Sequence, residues 1–125
     1  MTRTRHDRPA VQIRLVVDRD VVLGPGKAAL LEAIDASGSI AAASRTLGLS
    51  YKKAWQLIDT MNRHLPEPVV TTASGGNQRG GAGLTPLGRE VVERYRALQR
   101  KLDPDHCEEA RELLALIERR HDTPH

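Results

Sequence analysis

The residues of this chain best suited to chemistry are hydroxyls and cations, gathered where one short helical segment gives way to another. Ser50, Tyr51, Lys52 and Lys53 follow Leu47-Gly48-Leu49 directly, and Gln56 stands one turn further on. Gly48 reads as a helix terminator, Leu49 as an apolar plug and Ser50 as the N-cap of the next helix. Two helices crossing through such a turn make a helix-turn-helix unit. Its second helix can enter a DNA major groove, which is about one helix wide, with its first residues nearest the bases. Hydroxyls and ammonium groups at that end can donate to phosphates and to base edges. The competing reading is an ordinary helical hairpin whose lysines are merely solvated.

A second set of donors lies in a glycine-rich stretch, Ser74 to Gly83, where Asn77, Gln78 and Arg79 carry the polar side chains. It follows Val69-Val70-Thr71-Thr72, a strand by composition, and precedes Leu84-Thr85, which reads as the return strand. Glycines let a backbone come close to phosphates. The stretch therefore reads as a wing, against the alternative of a loop that touches nothing. Ser39 at the start of the preceding helix and Arg45 near its end complete the candidate DNA-contacting residues.

Other chemistries fail on spacing. Gly24-Pro25-Gly26-Lys27 sits between a strand and a helix like a phosphate loop. The P-loop pattern would need glycine at position 21 and a hydroxyl at 28, where Val21 and Ala28 stand. His106, Cys107, His121 and His125 do not have zinc spacing, and Thr123-Pro124 breaks the helix that an i, i+4 histidine pair would need. No nucleophile stands with a base and an orienting acid. No enzyme activity, metal or cofactor is expected, and no small-molecule effector is identifiable.

The positioning elements can be read in order. Val11 to Leu23 is β-rich, with Val11, Ile13 and Leu15 alternating on one face and Asp18-Arg19-Asp20 as a polar turn, which gives a short hairpin. Pro25 starts a first helix with Leu30, Leu31 and Ile34 as its buried stripe, ended by Gly38. Ile40 to Leu47 is short and alanine-rich, so a neighbour can pack closely. The third helix, from Tyr51 to about His64, buries Ala54, Ile58, Met61 and Leu65 and shows Lys52, Lys53, Gln56, Asp59 and Arg63 on its other side. Thr85-Pro86 starts a fourth helix with Leu87, Val91, Tyr95, Leu98 and Leu102 as its stripe. Asp103-Pro104 repeats that start signal for a fifth, with Ala110, Leu113, Leu114 and Ile117. The expected fold is mainly α with a small β wing. It is a winged helix-turn-helix over 11–102, with an N-terminal β segment, preceded by a flexible basic tail (1–10) and followed by an acidic helical extension and tail (103–125).

Composition sets the class. The 125 residues suit one domain, and with no Phe, one Trp and two Tyr the core must be aliphatic. One cysteine cannot make an internal disulfide, and neither a secretory signal nor a membrane-length apolar run is present, so a cytoplasmic protein is expected. The charge is uneven. Residues 103–125 carry seven acids against three arginines, net −4, which leaves +7 on the remainder. A basic body suits a polyanionic partner, double-stranded DNA, and frees the acidic end for another role.

Taken together, L-L-E-A-I-D-A-S-G-S-I-A-A-A-S-R-T-L-G-L-S-Y-K-K-A-W, then D-T-M-N, E-P-V-V, the glycine stretch and L-T-P-L-G-R-E-V-V-E-R-Y closely resemble the N-terminal domain of ModE-type molybdate-responsive regulators, over about residues 11–102. G-S-I-A-A-A-S-R-T-L and L-T-P-L-G also resemble the LysR-type winged helix. The resemblance implies a dimeric domain on a palindromic operator, with Ser50, Tyr51, Lys52 and Lys53 at the recognition-helix start and Gly75–Gly83 as the wing. ModE-type regulators carry C-terminal molybdate-binding domains. Only a helix and tail follow the match here, so no oxyanion site is expected in these residues. Leu113, Leu114 and Ile117 are the candidate homodimer interface. The other class of reading is a protein-interaction module that uses the wing and the acidic helix.

Overall fold

The computed structural model describes residues 10–73 and 81–122, with side chains to 118. Two strands open the fold, β1 (Leu15–Val17) and β2 (Asp20–Leu23), paired antiparallel. Asp18 and Arg19 between them both have positive φ, 50° and 72°. Two successive positive φ values are what a two-residue hairpin turn needs to match strand twist. The hairpin face differs from the simple alternation. Val11 and Ile13 are half-buried, but Leu15, Val16 and Val17 are all exposed; the hairpin is a two-stranded sheet of its own, and its pairing slips between Leu15 and Val16.

Three helices form the centre: α1 (Pro25–Ser37), α2 (Ile40–Leu47) and α3 (Tyr51–His64). Leu30, Leu31 and Ile34 of α1 meet Ala43 of α2 and Ala54, Ile58 and Met61 of α3 in one fully buried cluster. The alanines let α2 and α3 approach closely. The helix ends are closed by the expected residues. Gly38 and Gly48 take left-handed conformations, φ 71° and 68°, and the Gly38 N–H donates to the Ile34 carbonyl at 2.8 Å.

The chain then forms β3 (Val70–Thr72) and β4 (Ala82–Leu84), an antiparallel pair in register Val70 to Leu84 and Thr72 to Ala82. These are the stem of the wing. The Ala82 N–H donates to the Gly38 carbonyl at 2.8 Å, which fastens the stem to the α1–α2 turn. Thr85 caps α4 (Pro86–Leu102): its hydroxyl accepts from the Gly88 N–H at 2.9 Å and donates to the Pro68 carbonyl at 2.8 Å. Arg96 of α4 pairs with both carboxylate oxygens of Glu32 of α1.

The last helix, α5 (Glu108–Asp122), starts later than the Asp103-Pro104 signal indicates. Pro104 disfavours helical geometry at the residue before it, so α4 stops at Leu102. The Asp103 side chain accepts from the Asp105 N–H, two residues on, at 2.8 Å. That is an Asx-type turn, not a helix cap, which would bond two or three residues into a helix. Ala110 is buried, but Leu113, Leu116 and Ile117 are 63%, 59% and 57% exposed. The architecture is a mainly α winged helix-turn-helix with an N-terminal hairpin and a C-terminal helical extension.

Candidate nucleic-acid interface

The start of α3 is fixed before any ligand arrives. Gly48 turns the chain, Leu49 packs partly against the core, and the Ser50 hydroxyl accepts from the Lys53 N–H at 2.9 Å. Capping uses the acceptor side of that hydroxyl, so its proton can still be given to a phosphate. Ala54, Ile58 and Met61 hold the helix down at 0% exposure. Residues 52, 56, 59 and 63 must then face outward, and all four are exposed. Lys52, Lys53 and Gln56 are thus presented on a helix that cannot roll.

Tyr51 lies on one flank of this outward face. Its ring meets Trp55 edge-on, with centroids 6.4 Å apart and planes at 77°. Tyr51 is exposed and Trp55 half-buried, so Trp55 holds the phenol in place. Both border a depression of about 320 Å³ that also touches Ile40 and Ala41 of α2 and Thr72 and Ala82 of the wing stem. The beginning of α2, the beginning of α3 and the wing stem therefore share one surface. Ser39 stands at its edge, half-buried, with its hydroxyl accepting from the Ala42 N–H at 3.0 Å. Arg45 is exposed in the last turn of α2.

Of the candidate contacts, the fold sets Tyr51 against the base of the wing, places Ser39 at the start of α2, and turns Ser50, Lys52, Lys53 and Gln56 outward. Asn77, Gln78 and Arg79 lie outside the described residues, as do nine of the ten residues of the basic tail. Trp55 is not among the candidate contacts read from the sequence, although its i, i+4 spacing from Tyr51 is a signal for a side-chain pair. Leu113 and Ile117 are exposed and Leu114 is half-buried. Among the described residues no three His, Cys, Asp or Glu side chains are grouped to hold a metal, and no helix is long and apolar enough to cross a membrane.

No family model matches the chain. It is 49% identical over 88 residues to the molybdenum transport protein ModE of Azotobacter vinelandii, covering 69% of this chain and 33% of that protein. It is 49% identical over 77 residues to the molybdenum-pterin-binding protein MopB of Rhodobacter capsulatus, covering 62% and 28%. With the DNA-binding transcriptional dual regulator ModE of Escherichia coli it shares 34% over 85 residues, 68% and 32% of the two chains. The chain spans about a third of the length of these relatives.

Proposed function

We propose that this chain is a sequence-specific DNA-binding transcriptional regulator of the ModE and LysR-like type, working in the cytoplasm as a homodimer on a palindromic operator. One observation carries the reading. The capped, rigid start of α3 presents Lys52, Lys53 and Gln56 outward, next to a surface shared with the wing stem. A helix so held can enter the major groove while the wing approaches the backbone. Residues 11–102 would form the DNA-binding unit, and Asn77, Gln78 and Arg79 would add wing contacts. The names of the relatives support a link to molybdenum metabolism. The exposed apolar stripe of α5 favours an interface, which we assign to a second copy of the chain.

The test is DNA binding followed across salt concentration. Each phosphate neutralised by the protein steepens the log–log dependence by about 0.9 on duplex DNA. Lys52→Ala with Lys53→Ala should weaken binding and flatten the slope by up to that amount per lysine. Equal affinity in wild type and double variant would refute the reading. Absence of binding even at low salt would favour a protein-interaction module built on the wing and the acidic helix.

A further inference from the structure

A helix lying in the major groove has a phosphate strand along each edge. Tyr51 and Trp55 face the wing along one edge of α3. The other edge is set by β2. Asp20 at the start of β2 meets the last turn of α3, its carboxylate 2.8 Å from His64 Nε2 and 3.3 Å from Arg63 Nη2. Lys53 and His64 are eleven residues apart, about three helical turns, so they lie on the same side of α3. β2 rises about 3.3 Å per residue, and α3 is packed against it. β2 ends at Leu23, and Gly24 leads directly into α1.

Three cations lie around the start of α1, where Lys53 and Arg14 both act on the charge of Lys27. Ala28 of α1 and Ala54 of α3 are both completely buried in the core, α1 and α3 are in contact, and the charge of Lys53 acts on Lys27. The Arg14 side chain crosses Gly24, its Cγ 3.4 Å from where a β-carbon on that glycine would stand. Beside them Gly26 faces open space, and the first turn of α1 has no acidic side chain. Among the described residues no carboxylate is paired with Arg14, Lys27 or Lys53. Asp20, the acid whose field reaches Lys27, is already engaged by His64 and Arg63.

We infer that Arg14, Lys27 and Lys53 form a second contact with the DNA backbone, on the α1 edge of the recognition helix and opposite the wing. The inference rests on the DNA-binding reading above and extends it to residues outside the helix-turn-helix. Gathering like charges without counter-charge costs the free protein energy, and a phosphate strand relieves it. Lys27 is held below the ordinary lysine range, first by its partial burial and then by the repulsion of Lys53.

The experiment measures binding of the full chain to a mixed-sequence duplex and to genomic fragments across salt concentration. It compares wild type, Arg14→Gln with Lys27→Gln, Lys27→Arg, and Lys52→Ala. The double glutamine variant should bind both DNAs more weakly, with a log–log slope shallower by about 0.9 for each phosphate it leaves unneutralised. Lys27→Arg, which keeps the charge, should retain the wild-type slope. An unchanged slope in the double variant overturns the inference, whether or not affinity falls, because weaker binding at constant slope reports a structural effect. If Lys52→Ala weakens binding while the double variant does not, only this second contact fails. If wild type does not bind at low salt, the DNA reading fails and the inference falls with it.

Discussion

The Tyr95 hydroxyl donates to the Ile13 carbonyl at 2.7 Å, joining residues 82 positions apart. Tyr95 is almost wholly buried in α4, and Ile13 lies just ahead of β1. Burial pushes the phenol above its ordinary range, so it keeps its proton as a donor at neutral pH and above. This bond fixes the segment that carries Arg14. Tyr95→Phe should lower stability by about 1 kcal/mol, the net worth of a typical hydrogen bond, with the buried carbonyl adding to the loss if water cannot reach it. Urea denaturation should show a lower midpoint at constant m-value. An unchanged midpoint would show that the bond contributes nothing.

Gly88 lies where α4 presses on the chain leading into the wing. A β-carbon there would fall on the Val69 carbonyl oxygen, which accepts the Thr85 N–H at 3.0 Å. Alanine would gain about 0.8–1.0 kcal/mol of helix propensity. The clash is with backbone already tied by Thr85, so it cannot be relieved by a side-chain rotation. Gly88→Ala should therefore destabilise the fold despite that gain, by about 1–3 kcal/mol, as overpacking does. A raised melting temperature would contradict the contact.

Asp20 ties the hairpin to the end of α3, and it makes stability depend on pH. Hydrogen bonds from His64 and then Arg63 hold its carboxyl below the ordinary value of 3.8. The folded state thus favours the ionised form. Its contribution is fully present above the unfolded value and is lost as pH falls through 3.8 toward the lower folded value. Wild type should be more stable than Asp20→Asn at pH 6, and the gap should close below pH 4. Denaturant titrations at a series of pH values measure this. A gap that persists at the acid end would mean another group is responsible.

Much of the architecture was legible because local rules decide it. Ser39, Ser50 and Thr85 cap helices by accepting from the backbone N–H three residues on. Gly38 and Gly48 supply the left-handed turns. Periodicity alone finds the stripes through Leu30, Leu31, Ile34, Ala54, Ile58 and Met61. Where two local rules compete, the reading slipped. Asp103-Pro104 is an equally good helix start and Asx turn, and the turn prevailed. The gathering of Arg14, Lys27 and Lys53 is not encoded in any spacing, since they come from the segment ahead of β1, from α1 and from α3. What joins them is the packing of α1 on α3 and the passage of Arg14 over Gly24.

One recognition helix reads only a few base pairs, so half-sites about one DNA turn apart, roughly 34 Å, need two held copies. α5 offers a stripe of Leu113, Leu116 and Ile117 that is more than half exposed, with Leu114 partly covered beside it. An amphipathic helix left in water with such a face gains by burying it, at about 25 cal/mol for each Å² of apolar surface removed. Its acids, Glu108, Glu109, Glu112 and Glu118, suit a position away from the DNA. Leu113→Asp with Ile117→Asp should give a folded species of half the native mass by light scattering, and weak operator binding. Neither residue is in the core, so circular dichroism should be unchanged. If the variant keeps its mass and its DNA affinity, the interface lies elsewhere. The hairpin would then be the next site to change, since Leu15, Val16 and Val17 are the other exposed apolar run on the body of the domain.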